Sequence, residues 1–101
     1  MTFSDIQNKL QKYTVGIAGA GGLGSNCAVA LARVGIGNLI ISDFDIIDKT
    51  NLNRQYYFKN QIGQKKVIAL KENIHRINKD ININIFDTKI NESNIASIYK
   101  N

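Results

Sequence analysis

The chain has 101 residues, a length that allows one domain at most, and its net charge is +5. Hydrophobic residues make up 44% and charged residues 21%, which argues against a disordered chain. No apolar run approaches the ~20 residues that span a bilayer, the N-terminus lacks a signal-peptide pattern, and the single cysteine excludes an internal disulfide. Basic residues are spread along the chain rather than clustered, which predicts a solvated surface and no nucleic-acid partner. We expect a cytoplasmic protein without a membrane segment.

The first half of the sequence predicts a helix, a strand, a second helix and a second strand. Apolar residues at helical spacing over 4–12, with Ser4 as the N-cap candidate, predict a short leading helix. Residues 14–18 form a small apolar run of strand length, and a helical pattern then covers about 25–34. Residues 38–42 are predicted to form a strand around the continuous apolar run 39–41, as in a parallel strand that is covered on both faces.

The second half begins with a long polar stretch, about 46–61, that has no clear period and whose length is typical of a functional loop. Helical spacing predicts a third helix over 63–78, and alternation of Ile with Asn predicts a third strand over 81–86, nearer a sheet edge. A last helix begins near Asn91, with Asn91 or Ser93 as its cap. The alternating elements predict an α/β fold: a Rossmann-like parallel sheet of three strands with flanking helices.

A GxGxxG turn at 19–24 follows the first predicted strand and precedes the second helix. In this pattern Gly19 allows a tight turn, Gly21 lets the backbone approach a phosphate, and Gly24 lets the helix pack on the strand. The helix N-terminus offers free N–H groups to an anion. Asp43, which comes 19 residues after Gly24 at the end of the next strand, is placed to accept hydrogen bonds from ribose hydroxyls. The pair predicts a nucleotide site; glycines that serve only a tight turn are the alternative.

A polar cluster after the second strand favours a triphosphate over a dinucleotide. The cluster comprises Asn51, Asn53, Arg54, Gln55 and, at the start of the next helix, Lys65 and Lys66. A guanidinium, an ammonium and side-chain amides near a helix N-terminus suit a triphosphate better than a pyrophosphate bridge. Such donors would also stabilise the charge on a departing pyrophosphate. The alternative is that Arg54 and Lys66 are ordinary surface charges.

The sequence from about residue 12 to residue 90 resembles the ThiF/MoeB/HesA family, the bacterial relatives of ubiquitin-activating enzymes. The joint pattern of GxGGLG, DFD, NLNRQ and a following GxxK is far more specific than the glycines alone. The likeness is closest to the short ThiF-like branch that serves thiamine biosynthesis. Family members bind ATP and Mg²⁺ and adenylate the C-terminal carboxylate of a ubiquitin-like sulfur-carrier protein. The resemblance therefore implies an ATP-dependent adenylyltransferase with such a carrier as its partner.

The resemblance also implies individual site residues. The phosphates would be cradled by Gly21, Gly22 and Gly24, and the ribose held by Asp43. The triphosphate would be contacted by Asn51, Arg54 and Lys66, and the catalytic residues would be Arg54 and Lys66. The full set of predicted nucleotide-binding residues is Gly19, Gly21, Gly22, Gly24, Asp43, Asp45, Asn51 and Gln55. Gln55 would support the loop, and the role of Asp45 in the motif stays open between contacting the ligand and ordering the loop.

One part of the family's site is not found in this sequence. Family enzymes hold Mg²⁺ with a further aspartate at the end of the fourth strand, a position that would fall beyond Asn101. Asp87 comes too early and is expected only to end the third strand. Residues 1–101 are therefore expected to be the nucleotide-binding part of an adenylyltransferase domain whose C-terminal remainder is absent, and to be inactive alone. Without a fourth strand, residues 14–18 would form an unpaired apolar edge, which predicts a homodimer or other self-association.

Two other functions stay open at this point. The first is a non-catalytic nucleotide-binding remnant, and the second, based on the glycines and Asp43 alone, is an NAD(P)-binding oxidoreductase fragment. Three further expectations concern residues outside the motifs. Cys27 is expected to pack in the core, and His75 to lie at the surface or rim with no evident partner. The aromatic run 56–58 is expected to pack the long loop onto the sheet rather than to stack on adenine.

Overall fold

The computed structural model describes residues 2–53, 55, 57–89, 91 and 93–98. The helices in this part of the chain are α1 (Phe3–Leu10), α2 (Gly22–Val34), α3 (Lys66–Ile77) and α4 (Ile95–Ile98). The strands are β1 (Thr14–Ala18), β2 (Asn38–Asp43) and β3 (Asn82–Asp87). Two short 3-10 helices, Lys49–Asn53 and Lys59–Gln61, lie between β2 and α3. The predicted order of helices and strands is confirmed.

The three strands form one parallel sheet in the order β1-β2-β3. Thr14 pairs with Asn38, and Asn38 pairs in turn with Asn82, so all three strands end on the same side of the sheet. Parallel crossovers are right-handed, which carries α2 and α3 to one face. There the two helices pack against each other and against the strands. This arrangement confirms the Rossmann-like α/β fold and puts β1 and β3 at the sheet edges.

The hydrophobic core lies between the sheet and the layer formed by α2 and α3. The strands contribute Ile17, Leu39, Ile41 and Ile83. The buried residues of α2 are Ser25, Ala28, Val29 and Ala32, at the spacing of one helix face. The apolar residues that α3 buries are Val67, Ala69, Leu70 and Ile74. Small side chains on α2 allow this helix to approach the sheet closely, which matters for the turn that precedes it.

The start of α1 differs from the prediction, because Thr2 and not Ser4 caps the helix. The Asp5 backbone N–H donates to Thr2 Oγ1 at 3.2 Å, and the Thr2 backbone N–H donates to the Asp5 carboxylate at 3.0 Å. This reciprocal pair is a capping-box arrangement. The hydrogen bonds from Thr2, that of its backbone first, lower the pKa of Asp5.

The starts of α2 and α3 also differ from those that the hydrophobic pattern predicts. α2 begins at Gly22, inside the glycine motif, because close packing of Gly24 on the preceding turn outweighs the low helix propensity of glycine. α3 begins at Lys66, since residues 63–65 form a turn that an isolated antiparallel bridge ties to Ile46. Both starts depend on contacts that a local pattern does not contain.

The long polar stretch between β2 and α3 is packed into the fold. The Ile47 backbone N–H donates to the Gln64 carbonyl at 2.9 Å, and the Gly63 N–H donates to the Ile47 carbonyl at 2.8 Å. The buried side-chain amides of Gln61 and Asn73 exchange two hydrogen bonds of 2.7 and 2.9 Å. Because these amides satisfy each other, polar residues of the stretch can be buried against α3.

The last helix begins at Ile95 and not near Asn91 as predicted, because residues 93–94 form a turn that the Asn91 side chain caps. The Asn91 side chain accepts hydrogen bonds from the backbone N–H groups of Ser93 and Asn94, at 2.9 and 3.0 Å, just before α4. The predicted continuation to the C-terminus falls on residues 99–101, which lie outside the described residues. Within the described part of the chain, no helix combines the length and apolarity that crossing a bilayer requires.

Candidate functional site

A cleft of about 290 Å³ opens where the three strands end. Its lining comes from the ends of β1 and β2 and from the residues after β3: Ala18, Gly19, Ser42, Asp43, Phe44, Asp45, Thr88 and Lys89. Open parallel α/β sheets bind ligands at this end of their strands. Three of the predicted site residues, Gly19, Asp43 and Asp45, therefore line one cleft.

The glycine turn that forms one wall of the cleft needs glycine at two positions. Gly19 has a φ of +100°, a conformation that residues with a side chain rarely adopt. A Cβ atom on Gly24 would lie 2.0 Å from the Gly19 carbonyl oxygen, so only glycine allows α2 to pack on the turn. These two predicted roles are confirmed. A Cβ on Gly21 would meet nothing nearer than the Gln55 side chain, at 3.9 Å, so packing does not require glycine there.

The N-terminus of α2 points its backbone donors away from the helix body. Gly21 is the N-cap residue and provides no side-chain cap. The first hydrogen bond of the helix runs from the Ser25 N–H to the Gly21 carbonyl, at 2.8 Å. The N–H groups of the first helical turn therefore have no carbonyl partner within the helix, and the helix dipole adds positive potential. This combination suits a phosphate.

Asp43 fastens the glycine turn to the end of β2. One carboxylate oxygen, Oδ2, accepts the Ala20 backbone N–H at 2.6 Å. The other, Oδ1, accepts the backbone N–H groups of Phe44 and Asp45 at 2.7 and 2.9 Å. A carboxylate has about four lone-pair sites, and three of them are used here. Asp43 therefore has both a structural role and room for about one more donor, such as a ribose hydroxyl.

Lys66 begins α3 and is buried, with a side chain that is 7% exposed. Its Nζ lies 3.7 Å from Asp45 Oδ2, and its backbone N–H donates to the Asp45 carbonyl at 3.0 Å. A buried ammonium needs an opposite charge nearby, and the Asp45 carboxylate provides it. At 3.7 Å the pair is too long for a hydrogen bond, so the ammonium donors are not committed to Asp45. The contact shows that Asp45 pairs with the start of α3, and its carboxylate also lines the cleft, so both predicted roles of Asp45 stay open.

Gln55 is buried beside the glycine turn, at 8% exposure. Its Oε1 atom has no hydrogen-bond partner among the described residues. A buried polar atom of this kind indicates a site for a ligand or water.

The prediction for Arg54 falls outside the described residues, as does that for the side chain of Asn51. No group of three or more His, Cys, Asp or Glu residues in the described part of the chain could hold a metal ion.

The sequence matches the ThiF family over residues 2–101. The chain belongs to the ThiF family. It is 41% identical over 95 residues to a probable molybdopterin-synthase adenylyltransferase of Porphyra purpurea, covering 93% of this chain and 25% of that protein. It is 38% identical over 82 residues to ubiquitin-like modifier-activating enzyme 5 of Caenorhabditis elegans, covering 81% of this chain and 20% of that protein.

Solved structures agree with the family assignment. The E. coli tRNA N6-threonylcarbamoyladenosine dehydratase, in complex with ATP, superposes with a TM-score of 0.88 at 31% identity. The match covers 92% of this chain and 39% of that one. This ThiF-family chain spans about a fifth to a quarter of the length of the two curated relatives named above.

Tyr57 links the glycine turn of this ThiF-family chain to α3. Its ring is buried, and its hydroxyl lies 2.6 Å from the Ala20 carbonyl oxygen and 3.3 Å from the Lys66 carbonyl oxygen. Burial, and to a lesser degree the nearby Asp43 carboxylate, raises the pKa of Tyr57 well above its usual value. The phenol therefore stays a hydrogen-bond donor at neutral pH. The expectation that the 56–58 run packs the long loop holds for Tyr57, whereas Phe58 is exposed and Tyr56 lies outside the described residues.

The raised pKa predicts an alkaline loss of stability that involves Tyr57. A phenol that ionises more readily in the unfolded chain stabilises the fold fully below about pH 10 and loses that contribution as the pH rises toward its folded pKa. The difference in unfolding free energy between the wild type and Tyr57→Phe should therefore shrink above about pH 10. Urea denaturation from pH 7 to pH 11 measures it, and a difference that is constant over this range would contradict the prediction.

Two single residues differ from their sequence expectations. Cys27 is exposed and not in the core, because it lies off the buried face of α2 and lines a groove beside β1. His75 is half-buried at the rim as expected, but it does have a partner: its Nε2 lies 3.0 Å from the Ile81 carbonyl oxygen. Asp87 ends β3 as predicted and also forms an ion pair with Lys65.

Sequence reasoning did not select five residues that line the cleft: Ala18, Ser42, Phe44, Thr88 and Lys89. The Lys89 Nζ lies 5.9 Å from the centre of the Phe44 ring, within reach of a cation–π contact. The rule that parallel strands end together could have indicated Thr88 and Lys89, since both follow β3 directly. Thr88 and Lys89 belong to none of the motifs named above, however, and only the register of the sheet brings these two residues close to Asp43.

Proposed function

We propose that this chain is the ATP-binding part of an adenylyltransferase that activates the C-terminal carboxylate of a ubiquitin-like carrier protein. The observation that carries the proposal is the hydrogen bond from the Ala20 N–H to the Asp43 carboxylate, which ties the turn before the uncapped N-terminus of α2 to an acid that lines the cleft. A helix N-terminus for phosphate beside an acid for ribose is the arrangement that a nucleotide requires. The family membership and the ATP complex of the E. coli relative support ATP as that nucleotide.

In this proposal the adenosine occupies the cleft between Asp43 and Lys89, and one ribose hydroxyl donates to the carboxylate lone pair that the turn leaves unused. The phosphates lie at the N-terminus of α2, in the space that Gly21 leaves by having no side chain. Gly22 and Gly24 supply backbone N–H groups there. The Gln55 amide, buried beside Gly21, is close enough to this space to contact a phosphate.

The chemistry that these residues would assist is attack of a carboxylate oxygen on the α-phosphorus of ATP. A bond forms between that oxygen and phosphorus, the bond to the β-phosphate oxygen breaks, and pyrophosphate leaves. Such a step depends on alignment and on neutralising charge. The Lys66 ammonium would share its charge between Asp45 and the departing phosphates, with Arg54, Asn51 and a Mg²⁺ ion as further proposed contributors. Mg²⁺ would neutralise phosphate charge, and its protein ligand is predicted outside residues 1–101.

Calorimetric titration of the 101-residue chain with ATP and, separately, with NAD tests the nucleotide assignment. ATP is expected to bind more tightly, and Lys66→Met should weaken ATP binding about 10- to 100-fold, as for a lost charge-assisted hydrogen bond. Lys79→Met, which removes an exposed lysine, is the matched control and should bind like the wild type. Tighter binding of NAD would instead favour an oxidoreductase fragment.

Adenylylation itself is tested in a longer protein that contains this sequence, together with its carrier, as ATP–pyrophosphate exchange. Arg54→Ala and Lys66→Ala should each abolish most of that exchange, and unchanged exchange would contradict the proposed mechanism. We propose a sulfur carrier of thiamine or related cofactor biosynthesis as the substrate. ATP binding without exchange would favour a non-catalytic nucleotide-binding remnant.

We also propose that the chain alone self-associates through β1. This strand is at the sheet edge, and a groove of about 420 Å³ runs beside it, lined by residues 15–19, Gly21, Leu23, Gly24 and Cys27. The groove therefore shares three glycines with the proposed nucleotide site. Leu23 is 88% exposed. An unpaired strand edge with apolar surface is a template for a second copy. Light scattering should detect dimers or larger species that Leu23→Lys weakens and Ile68→Lys, at an exposed site on α3, does not; a monodisperse wild-type monomer would overturn the proposal.

A further inference from the structure

The Tyr57 hydroxyl lies at the point where the two halves of the proposed phosphate site meet. Ala20, at 0% exposure, belongs to the glycine turn, and its carbonyl oxygen is 2.6 Å from the hydroxyl. Lys66 is the first residue of α3, and its carbonyl oxygen is 3.3 Å from the same hydroxyl. A phenol has one proton to donate, so the shorter contact to Ala20 is the stronger one and the contact to Lys66 shares the proton.

Both residues that Tyr57 contacts are also held from the other side. The Ala20 N–H donates to the Asp43 carboxylate, so the peptide units on the two sides of Ala20 are fixed by Asp43 and by Tyr57. The Lys66 N–H donates to the Asp45 carbonyl, so the backbone of Lys66 is fixed in the same way. The Tyr57 hydroxyl contacts both of these backbone segments. The hydroxyl therefore connects the turn that leads into α2 with the residue that carries the buried ammonium.

We infer that Tyr57 is a positioning residue for the nucleotide site: its hydroxyl fixes the spacing between the phosphate turn at Ala20 and the ammonium of Lys66. The inference rests on the proposed function, since the spacing matters only if one triphosphate contacts both groups. A bound anion of that length gains from both contacts only when they are held at the matching distance. Tyr57 needs no contact with ATP for this role.

The variant Tyr57→Phe keeps the buried ring and removes only the hydroxyl. Calorimetry with ATP should show about five- to tenfold weaker binding, the size expected for one lost hydrogen bond. Tyr13→Phe removes an exposed hydroxyl and is the matched control, expected to bind like the wild type. Circular dichroism at the titration temperature checks that each variant is folded. Replacement of Tyr57 by 4-aminophenylalanine restores a donor at the same position and should recover most of the affinity.

A double-mutant cycle with Lys66→Met separates positioning from a general structural effect. If Tyr57 acts by placing the ammonium, Tyr57→Phe should have little further effect on ATP affinity once Lys66 is Met. Additive losses would overturn the inference, as would wild-type affinity in folded Tyr57→Phe or failure of 4-aminophenylalanine to recover binding. No ATP binding by the wild type would overturn the proposed function together with the inference. Binding that Lys66→Met weakens while Tyr57→Phe leaves it unchanged would overturn the inference alone.

Discussion

Gly24→Ala is expected to destabilise the chain by about 3 kcal/mol or more, the upper range for overpacking a tight contact. The new Cβ would lie 2.0 Å from the Gly19 carbonyl oxygen, 2.9 Å from its carbon and 3.3 Å from Ile17 Cγ2. Two of these three atoms belong to the backbone of the turn and cannot rotate away. α2 would have to move off the turn, and the core residues on its buried face would lose contact with the sheet.

The measurement is thermal unfolding, and a fall in melting temperature of about 10–20 °C is expected for a domain of this size. Gly21→Ala provides the matched comparison, since its Cβ would meet only the Gln55 side chain, at 3.9 Å. That variant should unfold within a few degrees of the wild type and yet bind ATP more weakly, because its methyl group enters the proposed phosphate space. A Gly24→Ala variant with the melting temperature of the wild type would contradict the close packing of α2 on the turn.

Asp43→Ala is expected to lower both stability and nucleotide affinity. The carboxylate accepts three backbone N–H groups, one of which belongs to the buried residue Ala20. Leaving that N–H without an acceptor should lower the free energy of unfolding by about 2–3 kcal/mol. The N–H groups of Phe44 and Asp45 are exposed and can turn to water, so their loss adds little.

Urea denaturation with and without ATP measures both effects of Asp43→Ala at once. A ligand that binds only the folded state stabilises it by RT ln(1 + [L]/Kd). The same ATP concentration should therefore shift the wild-type transition more than that of the variant, because the variant has the higher Kd. Asp80→Ala, at an exposed residue after α3, is the control and should match the wild type in both measurements. An Asp43→Ala variant with wild-type stability would contradict the role of the carboxylate as the acceptor for the turn.

The part of this site that the sequence predicts correctly is local in the chain. Gly19 and Gly24 follow from the strand–turn–helix order, because the need for a positive φ and for close packing arises within a few residues. The strands were predictable for the same reason, since β2 is a continuous apolar run and β3 alternates. Helix starts were not, because the turn at 63–65 and the start of α2 depend on partners elsewhere in the chain.

The sequence by itself determined that this is a parallel α/β chain of the ThiF family, with a glycine turn and an acid at the end of its second strand. Only the tertiary structure decided that Asp45 pairs with Lys66, that Cys27 is exposed, and that Tyr57 joins the turn to α3. The physical reason is that motif residues serve backbone geometry that is set locally, whereas these contacts arise when segments distant in sequence pack at one end of the sheet. Their residue types, a buried lysine and a buried tyrosine, have no local pattern that predicts the partner.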